Sequence, residues 1–246
     1  MNLVRPIEIA PGLYQLPALG AKVTALFVDD GVVLVDAGWR GSTGLVATGL
    51  KALGSSLDRV RLIVVTHYHP DHAGAVGSLV DRTAAKVAAH IEEVGVISGS
   101  EPFPSPFSNR LLAAFTRPLL PFFCDHPVTV AFPLKDADAL PLAPTVKVIH
   151  TPGHTQGSIC LYETSTKVLI VGDALQYRFR RLSPPASWVS WDLGLARQSL
   201  KKLLALDFEV ICFSHFPPLR HGAREALSQL IQRMEAKHGR STGEGS

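Results

Sequence analysis

The run "VVTHYHPDHAG", residues 64–74, is the tightest constraint on how this chain can fold. It puts His67, His69, Asp71 and His72 within six positions. Three imidazoles and a carboxylate in one turn cannot all be buried unpaired, because each orphaned polar group costs free energy. A solvated loop would gain nothing from such crowding. The turn therefore needs a rigid support and something to take up its donor atoms, and a metal would satisfy the donors. The run follows "RLIVV", a short buried strand, so the cluster starts at a strand's carboxyl end, where a rigid scaffold can carry site residues.

Other ligand-type residues fall in the same kind of place. His154 follows "VKVIH", Asp173 follows "VLIVG" and His215 follows "VICFS". Neighbouring strands running the same way would bring these ends to one rim. A short internal repeat supports such an arrangement. "VVLVDAG" resembles "VLIVGDA", and each leads through a helix to a strand ending in a hydroxyl and a histidine, "IVVTH" and "VICFSH". Asp36 then corresponds to Asp173, and His67 to His215. Two β-rich halves with covering helices predict two sheets face to face with helices outside. Among the local elements, Asp29-Asp30-Gly31 predicts a hairpin turn. Helices are expected at about 42–53, capped by Ser42 or Thr43, directly after Asp71, after a capping Asp192, and at about 223–237.

With 246 residues and 46% hydrophobic content, the chain can bury a large core as one domain or two fused halves. A net charge of +3 without a Lys/Arg stripe does not point to nucleic acid. Cys124, Cys160 and Cys212 are odd in number, far apart and form no CxxC, so a disulfide framework or thiolate zinc site is not expected. "MNLVRPIEIAPG" has neither a basic nor an apolar leader region, and no run is long enough to span a membrane, so a cytoplasmic protein is expected. The reading is a single domain over 1–238 with a Pro/Phe-rich insertion at about 98–141, and a disordered tail at 239–246. The insertion holds six of the eleven phenylalanines, too many for a solvated loop.

Imidazole and carboxylate suit zinc, and also iron or manganese. Five histidines and two aspartates exceed one tetrahedral site but fill two adjacent ones. Residues two apart in a turn can aim at one centre, so His67 and His69 can share a metal while Asp71 and His72 serve its neighbour. A carboxylate with two oxygens can bridge, which suits Asp173. Two divalent ions less two aspartates and one hydroxide leave a centre of about +1, which favours a developing oxyanion.

With these residues in place, the chain resembles the metallo-β-lactamase superfamily. That family's H-x-H-x-D-H motif reads here as His67-Tyr68-His69-Pro70-Asp71-His72. Its later histidine matches His154 in "TPGHTQGS", its bridging aspartate Asp173, its final histidine His215 and its early aspartate Asp36. The resemblance implies a four-layer αββα sandwich of two β-sheets flanked by helices, and a site for two Zn2+. One ion would be held by His67, His69 and His154, the other by Asp71, His72 and His215, and both by Asp173. Asp36 would support the ligand loop by accepting hydrogen bonds. One departure is Ser214-His215-Phe216, where the family often has Gly-His-Gly.

The implied activity is hydrolysis of an ester, thioester or lactone in a small-molecule substrate, with Asp71 assisting proton transfer. Lactonase-like members carry a tyrosine close after the bridging aspartate, which makes Tyr177 a second candidate catalytic residue. Arg178, Arg180 and Arg181 form either a solvated face or a substrate contact. A β-lactam or phosphoester hydrolase of the same fold is an alternative. An iron-dependent, persulfide dioxygenase-like oxidoreductase is one of another class. The insertion packs as a satellite core, is buried in a homodimer, or forms an apolar wall over the metal rim through Phe103, Phe107, Phe122 and Phe123.

Overall fold

The computed structural model describes residues 5–104, 110–116 and 118–243. Seven strands form the first sheet in chain order: β1 (Ile7–Ala10), β2 (Leu13–Leu16), β3 (Val23–Val28), β4 (Gly31–Val35), β5 (Val60–Val65), β6 (Lys86–His90) and β7 (Val130–Leu134). The first four form antiparallel meanders, and the β3–β4 turn is the expected Asp29-Asp30 hairpin. From β4 to β7 all pairings are parallel. The second sheet has the order β14-β11-β10-β9-β8, built from β8 (Ala139–Leu140), β9 (Ala143–His150), β10 (Ile159–Glu163), β11 (Val168–Ile170) and β14 (Val210–Cys212). A separate hairpin joins β12 (Gln176–Arg178) to β13 (Arg181–Ser183).

Alternation along the strands separates three apolar layers. Val33, Val35, Leu62 and Val64 of the first sheet face Val148, Leu161, Ile170 and Cys212 of the second. The opposite faces of the same strands, with Leu34, Ile63 and Val65, pack under α1 (Thr43–Ala52) and α3 (Val76–Thr83). Cys160, Leu169 and Ile211 turn outward beneath α6 (Leu193–Leu203) and α7 (Ala223–Gly243). The architecture is a four-layer αββα sandwich. Cys160 and Cys212 are free and buried, as small apolar side chains in these layers.

Several boundaries differ from the sequence reading. The helix after Asp71 is two pieces, α2 (Pro70–Ala73) and α3. The break lies where a Cβ on Gly74 would come within 2.8 Å of Arg40 N and Phe123 O. Residues 98–141 include two strands, β7 and β8, that the sequence reading left irregular; α5 (Arg110–Thr116) and the short α4 (Val94–Ile97) before it lie where the sequence predicts helices, at about 109–117 and 91–97. Pro133 disguises β7 as irregular, yet β7 is an edge strand, where a missing donor is tolerated. The irregular part is therefore shorter and ends before Val130. Phe107 lies outside the described residues. α7 runs to Gly243, so the expected tail at 239–246 begins as helix, and its last three residues lie outside the described ones. Among the described residues no helix is long and apolar enough to cross a membrane.

Leu161 is fully buried between the sheets. Leu161→Ala is expected to cost about 2–5 kcal/mol from lost burial and the cavity left behind. Chemical denaturation of the two proteins under one metal condition measures it.

Candidate metal centre

The topology explains why distant residues meet. β9 and β11 both run antiparallel to β10, and β14 runs parallel to β11, so β9, β11 and β14 point the same way. Their carboxyl ends deliver His154, Asp173 and His215. β4 and β5 are parallel in the other sheet and deliver Asp36 and the His67–His72 turn. Two backbone bonds pin the rims together: Ile159 N–H donates to Thr66 O at 3.1 Å, and Lys22 N–H to Ser214 O at 2.7 Å.

All seven candidate ligands converge. His67, His69 and His154 form one group whose donor atoms lie within 4.8 Å of one another, and Asp71, His72 and His215 form a second. Asp173 stands between them. Its Oδ2 lies 3.6 Å from His154 Nε2, while its Oδ1 lies 3.2 Å from His215 Nε2 and 3.4 Å from His72 Nε2. One carboxylate thus turns one oxygen toward each triad.

Surrounding groups set which ring nitrogen faces the centre. Asp36 Oδ2 accepts from His72 Nδ1 at 2.8 Å, and Asp36 Oδ1 accepts from Thr66 N at 2.8 Å and from Thr66 Oγ1 at 2.9 Å. With its proton on Asp36, the Thr66 hydroxyl accepts from His67 Nδ1 at 3.1 Å. Ser190 donates to Ala186 O at 2.8 Å, and so accepts from His154 Nδ1 at 3.3 Å. His67, His72 and His154 are therefore Nδ1–H tautomers with Nε2 lone pairs aimed inward. His72 Nε2 and His154 Nε2 are buried without a hydrogen-bond partner, as expected of nitrogens that bind a cation. The donor set and these two orphaned atoms fit metal ions.

Electrostatics divide the cluster. Burial and neighbouring imidazoles hold His67 well below its ordinary pKa, and burial with His154 brings His69 down to about 3. Burial likewise lowers His154. Burial opposes charge on His72 and His215 as well, but carboxylates outweigh it. Asp36, Asp71 and Asp173 raise His72 well above its usual value, and Asp173 and Asp71 take His215 to about 9. Burial would raise Asp71 and Asp173, yet His72 and His215 bring Asp71 down to about 2 and Asp173 well below its normal range. The centre thus combines neutral imidazoles at His67, His69 and His154 with ionised carboxylates, Asp71 and Asp173, that favour positive charge around His72 and His215.

A cleft of about 340 Å³ opens on this rim. Asp71, His154, Asp173 and His215 line its base, while Trp39, Leu120, Trp188 and Phe216 supply apolar walls. Tyr177, expected as a catalytic residue, is not among the lining residues of this cleft. Side chains alternate along β12, so Gln176 and Arg178 face the cleft while Tyr177 stacks on Phe213 at 5.7 Å. Of the expected phenylalanine wall, Phe103 packs on Tyr68, on the far side of the ligand turn, and Phe122 is exposed. Phe123 reaches the cleft indirectly, edge-on to Trp39 at 5.2 Å.

Sequence reasoning missed four supporting residues: Thr66, Ser190, Gln15 and Glu93. Gln15 Nε2 donates to Phe213 O at 2.6 Å and Phe216 O at 3.2 Å, bracketing His215. Burial pushes the Glu93 carboxyl up to about 7. Glu93 had a faint signal, since "HIEE" follows the end of a third parallel strand, β6. Ser190 and Gln15 had none. Of the other histidines, His150 touches a ligand loop, donating from Nε2 to Gln156 O at 2.9 Å. His126 pairs with Asp81 at the surface.

A family profile described as the metallo-beta-lactamase superfamily matches residues 18–215. The chain belongs to this superfamily. It is 28% identical over 249 residues to the probable metallo-hydrolase YflN of Bacillus subtilis, covering 93% of each chain. It is 32% identical over 125 residues to the acyl-coenzyme A thioesterase MBLAC2 of Gallus gallus, covering 48% of this chain and 42% of that one. Among solved structures, the metallo-beta-lactamase family protein TTHA1429 of Thermus thermophilus superposes with a TM-score of 0.74 at 27% identity. That match covers 93% of this chain and 81% of TTHA1429. The superfamily chain shares the αββα fold with such neighbours.

Asp36 adopts a left-handed backbone (φ 65°), which Asn tolerates better than Ala. Asp36→Ala also leaves Thr66 and His72 without their acceptor. It is expected to destabilise by roughly 1.5–3 kcal/mol, and Asp36→Asn by less, since Asn keeps an acceptor for Thr66. Equilibrium unfolding of both variants tests that order.

Proposed function

We propose that this protein is a metal-dependent hydrolase that uses a two-metal centre, with Zn2+ as the expected ion, to cleave an ester, thioester or lactone. The observation that carries this reading is the Asp173 carboxylate, with one oxygen toward each histidine-rich triad. His67, His69 and His154 would hold one ion, Asp71, His72 and His215 the other, and Asp173 both. Ions bound there would lower the pKa of water to near ~7 and polarise the scissile carbonyl.

The chain's own residues do the rest. Asp36, Thr66 and Ser190 hold three imidazoles in the tautomer that leaves Nε2 available. Asp71 is an ionised carboxylate that borders the cleft, so it orients the attacking water and relays its proton. Trp39, Leu120, Trp188 and Phe216 exclude water around an acyl or aromatic group, and Arg178 lies at the same cleft. A thioester is favoured among the three bonds by the similarity to the chicken acyl-coenzyme A thioesterase, which spans the part of the chain that aligns. The name of the Bacillus relative supports hydrolysis in general.

Elemental analysis of protein purified without chelator is expected to give about two transition metals per chain. Zinc supports hydrolysis, whereas iron would favour the oxidoreductase alternative. A stoichiometry of one that zinc or manganese cannot raise would sink the two-metal reading. Asp173→Asn keeps the shape but loses the bridging charge. It is expected to cut turnover by more than ~100-fold, beyond what an outer-shell residue costs, with the fold retained.

The substrate class is tested with thioesters, lactones, lactams and phosphoesters of matched size. Within the best class, each added methylene should gain at most about 0.8 kcal/mol, so kcat/KM is expected to climb several-fold per two carbons until the cleft fills. A flat profile from short to long chains would mean that the apolar walls do not read the acyl group.

A further inference from the structure

Glu93 lies outside both triads, yet it touches the two loops that carry the first one. It ends a 3-10 turn, Ile91–Glu93, directly after β6, and is fully buried. Its Oε2 accepts from Tyr68 N at 2.7 Å, and Tyr68 sits between His67 and His69. Its Oε1 accepts from Thr155 Oγ1 at 2.7 Å and Gly157 N at 2.8 Å, in the loop just after His154. The two oxygens thus divide between the two loops. Among the described residues no lysine or arginine pairs with this carboxylate, so these three donors are what make its burial tolerable.

The sequence around Gly157 fits the same contact. A Cβ there would lie 2.6 Å from Glu93 Cγ and 2.8 Å from Oε1. Only a glycine lets the loop approach this closely. An apolar residue at position 93 could fill the space, but it would leave Tyr68 N and Gly157 N buried and unpaired. The two loops come from different sheets, since one follows β5 and the other follows β9. Their relative position is what decides whether His154 meets His67 and His69.

We propose that Glu93 is a positioning residue that clamps the Tyr68 and Thr155–Gly157 backbones together and so makes His67, His69 and His154 one preformed metal-binding unit. Among the described residues no hydrogen bond joins it to Asp71, His72 or His215, so its influence falls on the first site. The inference rests on the two-metal reading above. It adds that the first triad has a clamp of its own, Glu93, beside the Asp36–Thr66 pair that orients His72 and His67.

The test is Zn2+ binding by the whole protein, measured by chelator competition, with folding monitored by near-UV circular dichroism. Glu93→Ala is expected to weaken one zinc by about 10–100-fold, the range for a lost outer-shell partner, and to leave the other unchanged. Glu93→Gln should fall between, since its amide oxygen can keep Thr155 and Gly157 while its NH2 faces the Tyr68 N–H. A His69→Ala background identifies the site. There, adding Glu93→Ala should not alter the zinc that remains. If Glu93→Ala does not fold, Gly157→Ala, which displaces the carboxylate from the other side, carries the same expectation. Wild-type affinity for both ions in the folded variants would overturn the proposal. So would an equal loss at both sites, which would mark a general structural role. A wild-type protein that binds no zinc would instead overturn the two-metal reading on which the proposal stands.

Discussion

The packing of the two inner sheet faces is the interaction on which the rest of the structure depends. Val33, Val35, Leu62 and Val64 meet Val148, Leu161, Ile170 and Cys212 with no room for water. Burial of this size is the main favourable term in folding, and it fixes the separation and rotation of the sheets. Five strand ends then emerge at one rim. Were a strand to slip by one residue in its pairing, the alternation would turn its inward face outward and misplace the ligand loop it carries. The position of the candidate metal ligands is thus a consequence of apolar packing, and the polar groups need only add local detail.

That local detail is a second layer of carboxylates and hydroxyls. Asp36, Thr66, Ser190 and Glu93 each hold a ring or a loop without facing the cleft. Their burial is costly, but each is satisfied by charge-assisted or paired hydrogen bonds. The result is a cluster in which Asp71 and Asp173 stay ionised inside protein and His67, His72 and His154 turn Nε2 inward. Such a cluster is an expensive way to stabilise a fold and an effective way to bind cations. The departure at Ser214-His215-Phe216 is accommodated in the same manner, because Gln15 holds the carbonyls of Phe213 and Phe216 on either side of the histidine.

The cleft walls come from parts of the chain with no common pattern. Trp39 follows β4, Leu120 lies in the irregular segment, Trp188 precedes α6 and Phe216 follows β14. Phe123 backs Trp39, so the irregular segment contributes to the wall through a contact between rings and through Leu120. The ligand turn separates this cleft from Phe103 and its neighbours, which is why only part of the phenylalanine-rich segment reaches it.

The αββα class and the seven converging residues were legible in the sequence because both follow from short-range pattern. Period-two alternation marks a buried strand, and a ligand-type residue just past its end inherits a fixed direction. The hairpin at Asp29-Asp30 and the capping Asp192 are equally local, and Asp192 does accept from Leu195 N at 2.8 Å. For Tyr177 the spacing from Asp173 suggests a catalytic role, whereas the direction of its ring, stacked on Phe213, is set by the pleat of β12. β7 was hidden by Pro133, whose tolerance depends on the strand being at an edge. Gln15 and Ser190 were illegible, and Glu93 nearly so, because each acts on a partner far along the chain. Sequence alone determined which atoms could bind a metal. Tertiary structure decided which side chains hold those atoms still and which ones wall the cleft, because these depend on distances across the two sheets that no local pattern encodes.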